Sequence, residues 1–205
     1  VLAIGDVCGS GIEAATKTSM LKYAVRSLAA AGLGPAVILQ RINEMILETG
    51  DPSDIVTLWL GVLDTRSGEL VWANGGHPPG LLLQKGDTRI QRLGTTGALL
   101  GAVASAVYSE EAVTISRGST LLLYTDGVTE ARNESGFFGE GRVRRALRKG
   151  GSVKEIAERL LAGVERFSRA GIRDDVAILT LALTDELREE PKPAVSRELT
   201  AGILE

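Results

Sequence analysis

An α+β fold is predicted by two observations on this 205-residue chain. The hydrophobic periodicities run strand, two consecutive helices, a series of strands, two helices and a last strand. That order segregates helices from strands instead of alternating them as βαβ units would. The chain is also 44% hydrophobic over a length that can bury one substantial core, so one domain is expected.

The elements follow in order along the sequence. Residues 1–6 read as a strand. Residues 11–30 read as a helix with Leu21, Val25 and Leu28 on one stripe. Pro35, after Gly34, suits the first turn of a second helix carrying Ile38, Ile42, Met45 and Ile46. Residues 55–64 and 69–74 form a hairpin around Thr65-Arg66-Ser67-Gly68. Further strands are predicted near 80–84, 107–116 and 119–125, with Arg117-Gly118 turning the last pair. Arg142, Arg144, Arg145, Arg148 and Lys149 form the solvated face of one helix ending at Gly150, with phosphoprotein docking as the rival reading. Ser152 and Glu155 make a capping box for a helix whose apolar residues are Val153, Ile156, Ala157, Leu160, Leu161, Val164 and Phe167. A strand over 175–183 closes the domain at residue 184. Residues 185–205, with Glu189-Glu190-Pro191-Lys192-Pro193, read as a polar linker or tail. There is no internal repeat and no low-complexity tract.

Composition excludes several classes. A net charge of −3 and a pI near 5.4 argue against a nucleic-acid surface, which needs a basic patch. Cys8 is the only cysteine, so no intrachain disulfide forms and a reducing, cytoplasmic compartment fits. No apolar run approaches 18 residues, so membrane insertion of this segment is not expected. Gly9-Ser10-Gly11 with Ala14 matches a dinucleotide-binding fingerprint, but that fingerprint needs a following strand and an acidic residue about 20 positions on. Here alanines within a helix stand at that position. Cys8 fails as a thiol-phosphatase nucleophile because the arginine of a C-x₅-R loop is replaced by Ala14; it is expected to be a small packed residue. No Gly-Lys-Ser/Thr phosphate loop occurs.

What remains is a set of three aspartates: Asp6 in VLAIGDVCGSG, Asp126 in LLLYTDGVTEA and Asp174 in IRDDVAILTLAL. Each lies beside an apolar run that should be buried, so each carboxylate can be held rigidly at a strand end. Carboxylates about 4 Å apart repel by roughly 4 kcal/mol at an effective dielectric of 20. A divalent cation removes that cost, and hard ions such as Mg²⁺ or Mn²⁺ prefer oxygen ligands. The bland reading is three turn aspartates, since Asp-Gly is a common turn signal.

Four segments occur in the order seen in a known family: GDVCGSGIEAA, VTLWLGVLDTRSGELVWANGGHPPGLLL, LLLYTDGVTEARNESGFFGEGR and DDVAILTL. Together they resemble the bacterial metal-dependent serine/threonine phosphatases of the protein phosphatase 2C (PPM) superfamily, in the SpoIIE-like branch that regulates sporulation and sigma factors. The resemblance covers roughly residues 1–183. It implies a sandwich of two antiparallel sheets flanked by helix pairs, with a two-metal centre of Mn²⁺ or Mg²⁺ at one end.

Carried over, the resemblance makes Asp6, Asp126 and Asp174 the expected catalytic residues and metal ligands. Asp6 would bridge both ions, the Val7 carbonyl would bind the second, and Asp126 and Asp174 would bind the first, Asp174 being preferred to Asp175. Glu130 falls where some relatives hold a third, weaker ion, although an acid favoured by a helix start explains it equally. There are two departures. Ser10 stands where the family has a histidine that is not a ligand. The family also places a further metal-binding aspartate in a strand upstream of the GDV segment, before Val1 of this sequence. The domain is therefore expected to be N-terminally incomplete, with the first metal site complete in protein ligands and the second not.

The implied reaction is hydrolysis of phosphoserine or phosphothreonine by a metal-activated water, on a regulatory protein such as an anti-sigma-factor antagonist. An upstream sensory or regulatory domain and a homodimer fit the same resemblance. The alternative is a catalytically weak or dead phosphatase-like domain that binds a partner protein. His77, the sole histidine, is expected to fix a turn at a strand exit in preference to acting as a general acid.

Overall fold

In the computed structural model, which describes residues 1–9, 11–49, 54–168, 171 and 174–184, strand β2 (Val56–Leu63) shows how the layers arise. Its side chains alternate between two apolar clusters. Val56, Leu58 and Leu60 pack towards one side, with Ile38, Leu39, Ile42 and Ile46, while Trp59 packs towards the other, with Leu82, Leu93, Leu121 and Leu123. A strand buried on both faces must separate two layers. One of them is helical: α1 (Gly11–Ala30) and α2 (Pro35–Thr49). The other is a second sheet.

The first sheet has the order β1-β2-β3-β6, from β1 (Leu2–Val7), β2, β3 (Glu69–Gly75) and β6 (Glu111–Thr114). The second has the order β10-β7-β4-β5, from β4 (Gly80–Leu83), β5 (Ile90–Leu93), β7 (Thr120–Tyr124) and β10 (Ile178–Ala182). All pairings between these strands are antiparallel. Beneath the second sheet lie α4 (Glu140–Arg148) and α5 (Val153–Phe167), which bury Val143, Leu147, Ile156, Leu160 and Val164 against Leu81, Leu122 and Tyr124. The short helix α3 (Asp126–Glu130) and the small hairpin β8 (Arg132–Asn133)–β9 (Gly136–Phe137) connect β7 to α4. The result is helix pair, sheet, sheet, helix pair, as the resemblance implied.

Local chemistry explains the joints. Asp64 closes the β2–β3 turn by accepting from the Arg66 amide at 2.9 Å and the Ser67 hydroxyl at 2.8 Å, while Gly68 takes the positive φ of 78° that the turn needs. The α5 capping box is fully formed: the Glu155 amide donates to Ser152 Oγ at 3.2 Å and the Ser152 amide donates to Glu155 Oε2 at 2.7 Å. Lys17 of α1 bridges Glu13 and Asp54. Arg142 is more than a solvated charge, because it stands 4.5 Å over the Phe167 ring and donates to the Phe138 carbonyl at 2.5 Å.

The structure corrects the sequence reading in one pairing. The strands predicted at 107–116 and 119–125 do not form a hairpin: β6 pairs with β3 and β7 with β10 and β4, in different sheets. The Ile115 amide is taken by the Gly68 carbonyl at 2.8 Å and the Gly118 amide by the Leu183 carbonyl at 2.6 Å, so Arg117-Gly118 is the crossover between sheets. A turn dipeptide fixes a change of direction and not the partner that captures each arm. β6 is also shorter than expected, and β10 begins at Ile178 instead of 175. β5, α3 and β8–β9 had no expectation. The predicted linker or tail, 185–205, lies outside the described residues.

Ser152→Ala removes one half of the α5 capping box at an exposed site. It should lower stability by about 1 kcal/mol, read as a shifted midpoint with an unchanged slope in urea unfolding.

Candidate metal centre

Ile4 points between the two sheets, so the two-residue period of β1 sends Asp6 to the same side. Asp6 lies directly opposite Thr57 of β2 in the ladder, at the end of the sandwich where β1 runs out at Val7. The Val7 amide donates back to Asp6 Oδ1 at 3.1 Å.

The second sheet supplies the other two carboxylates as one unit. β7 ends at Tyr124, and the buried Thr125 then fastens the segment before β10. Its amide donates to the Ala177 carbonyl at 3.1 Å. Its hydroxyl donates to the Asp175 carbonyl at 2.9 Å and accepts from the Ala177 amide at 2.9 Å. Gly127 completes the junction, because a Cβ there would collide with the Asp175 carbonyl. Asp126 and Asp174 are thereby locked side by side through their backbones. The Asp174 carboxylate accepts from the Asp175 amide at 2.9 Å.

Electrostatics tie the two units together. The Asp6 carboxyl is raised above its ordinary range, first by burial, then by the negative charge of Asp126 and of Asp174, with Asp175 acting least; the Val7 amide opposes them. Asp126 Oδ1 is buried and has no hydrogen-bond partner among the described residues. Buried polar atoms are almost always paired, so this oxygen is an unused ligand that a cation could take. The oxygen-only donor set fits a hard divalent ion. Among the described residues, no three acidic, His or Cys side chains stand close enough together to hold a metal ion as they are placed.

Glu130 faces a cleft of about 830 Å³ that it shares with Gly127, Asp174, Arg132 and Arg166. Cys8 is exposed, against the expectation of a packed residue: it lies past the end of β1, where its amide donates to the Ile55 carbonyl at 3.0 Å. Ser10 lies outside the described residues.

His77 is 2% exposed and closes the turn after β3, as expected. Its amide donates to Asn74 Oδ1 at 2.8 Å and its carbonyl accepts from Asn74 Nδ2 at 3.0 Å. Its ring Nδ1 lies 2.8 Å from Thr57 Oγ1. Burial pushes the imidazole down to about 4, with the Tyr124 backbone opposing. The sequence reading missed Thr57 and Thr125 as supports of the site. Thr57 could have been found from the ladder register and Thr125 from its position directly before Asp126.

The family model described as Stage II sporulation protein E (SpoIIE) matches residues 1–184. Among curated proteins, the chain is 28% identical over 182 residues to the phosphoserine phosphatase RsbU of Bacillus subtilis (strain 168), covering 88% of this chain and 54% of RsbU. Among solved structures, the RsbU and RsbW domains of Rv1364c from Mycobacterium tuberculosis are similar at 30% identity and a TM-score of 0.68, covering 87% of this chain and 50% of that one. RsbX in complex with magnesium shares the fold at 20% identity and a TM-score of 0.66, covering 87% and 78%. The chain thus spans about half the length of RsbU.

His77 gives a pH test. Its folded value, about 4, lies below its ordinary 6.5, so the unfolded chain takes up the proton first as pH falls. The stability contribution is full above pH 6.5 and is lost between 6.5 and 4. Wild type should lose about 2 kcal/mol more than His77→Gln between pH 7 and pH 5 in urea unfolding. Equal losses would show that the ring is not held neutral by the fold.

Proposed function

The chain belongs to the SpoIIE family of PPM phosphatases, and from that membership together with the carboxylate geometry we propose that it hydrolyses phosphoserine or phosphothreonine on a regulatory protein. The observation that carries the reading is the electrostatic coupling of Asp6 from one sheet to Asp126 and Asp174 from the other, with Asp126 Oδ1 buried and unpartnered among the described residues.

In this reading Asp6, Asp126, Asp174 and the Val7 carbonyl would hold the Mn²⁺ or Mg²⁺ ions. Bound there, the ions supply Lewis acidity that brings a water's pKa towards neutrality and neutralises phosphoryl oxygens. The magnesium found with RsbX supports the choice of ion. The protein's own part is positional. β1 fixes Asp6 through its ladder with β2, and Thr125 fixes Asp126 and Asp174 against each other, so little reorganisation remains when charge develops on phosphorus. Asp175 lies beside the ligands and acts least on Asp6.

The relatives support the choice of substrate class. RsbU is named a phosphoserine phosphatase, and Rv1364c joins an RsbU domain to an RsbW domain. These support a role in sigma-factor regulation, with a phosphorylated anti-sigma-factor antagonist as substrate and a regulatory domain or second copy controlling the rate. Among the described residues no helix is long and apolar enough to cross a membrane, in keeping with action on a cytoplasmic phosphoprotein.

Asp126→Asn keeps the side-chain shape and removes one charge. In the full-length protein it should weaken Mn²⁺ binding and cut hydrolysis of a phosphoserine protein by at least about a hundredfold. Metal-free stability should stay level or rise, because carboxylate repulsion is relieved. Asp174→Asn should behave alike and Asp175→Asn more mildly. Undiminished turnover in Asp126→Asn, measured by phosphate release, would refute the assignment.

A further inference from the structure

The imidazole of His77 has a task that its turn does not explain. The turn after β3 is closed by the His77 backbone against the Asn74 side chain, at 2.8 and 3.0 Å. Asn74 is itself anchored: its amide donates to Thr96 Oγ1 at 2.8 Å, and its carbonyl accepts from the amides of Thr96 and Gly97 at 2.9 and 3.1 Å. None of these bonds uses the ring. Any residue could supply the same backbone groups, yet a polar ring is buried to 2% exposure, which is costly unless its nitrogens are engaged.

The ring's hydrogen bond leads to the Asp6 side of the metal centre. Nδ1 meets Thr57 Oγ1 at 2.8 Å. Thr57 is the residue directly opposite Asp6, and opposed residues of an antiparallel ladder project from the same face with Cβ atoms about 5 Å apart. Nε2 is buried and makes no close hydrogen bond among the described residues.

We propose that His77 is a positioning residue of the metal centre: its ring fixes the Thr57 side chain and, through that residue, the place of Asp6 across the β1–β2 ladder. The proposal rests on the metal-centre reading above. The ring stays neutral at physiological pH, so it adds no positive charge to compete with a cation. Its neutral form offers one donor and one acceptor, so Nδ1 pairs with the Thr57 hydroxyl in either tautomer. Groups that orient metal ligands from behind typically change metal affinity by 10–100-fold when removed.

The test is calorimetric titration of the full-length protein with Mn²⁺, alongside urea unfolding of the metal-free form, for wild type, His77→Gln, Thr57→Val and the double variant. Each folded single variant should bind Mn²⁺ about tenfold more weakly or worse, and the double variant should be no weaker than the worse single one, because both remove the same connection. Should His77→Gln fail to fold, Thr57→Val decides, since it removes only a hydroxyl. Mn²⁺ affinity equal to wild type in folded variants, with only their unfolding midpoints lowered, would overturn the proposal and leave His77 as a packing residue. A wild-type protein that binds no Mn²⁺ would instead overturn the metal-centre reading on which the proposal stands.

Discussion

Mutual repulsion between carboxylates is the constraint around which this fold is arranged. Asp6 and Asp126 would each be comfortable in water, yet the sandwich holds both at its end, where burial and like charge raise the pKa of Asp6 and strand one oxygen of Asp126 without a partner among the described residues. Only a stiff scaffold keeps such groups together. The stiffness comes from the apolar layer between the sheets, where Trp59, Leu70, Leu82, Leu93 and Leu121 are almost wholly buried, and from ladders that end within a residue or two of each carboxylate.

The helices serve this arrangement unequally. α4 and α5 grip the second sheet through a continuous apolar cluster, and Arg159 adds polar fastening by donating to the Ala146 and Gly150 carbonyls at 3.0 and 2.9 Å. α1 buries only Leu21 and Val25 along its 20 residues, while Ile12 and Tyr23 stay exposed. It leaves Asp6 within five residues and is held in part by the Lys17 contact with Asp54. The side of the centre that carries Asp6 is therefore the more loosely supported of the two.

Much of this was legible in the sequence. The α1, α2 and α5 stripes, the β2–β3 hairpin and the capping box are local signals, decided by periodicity and turn chemistry within a dozen residues, and the structure has them nearly at their predicted bounds. The family resemblance supplied the layering and put Asp6, Asp126 and Asp174 in one place, and the structure brings those three within electrostatic reach of one another. What stayed hidden is non-local. Nothing near Arg117-Gly118 says that β6 goes to β3 and β7 to β10. Cys8 looked packed because small residues usually are, but packing depends on what lies over the end of β1. Thr57 and Thr125 look like ordinary strand residues until the register shows what each faces.

Because Thr125 welds Asp126 and Asp174 into one body, the centre has in effect two jaws and a single adjustable dimension, the gap between the sheets. Metal–oxygen bonds of about 2.0–2.1 Å, which Mg²⁺ demands, would tolerate only small errors in that gap. The interior between the sheets then acts as the spacer of a caliper. With an ion held as proposed, a change of one methylene at Leu121 or Leu123 would alter the jaw opening as well as the core.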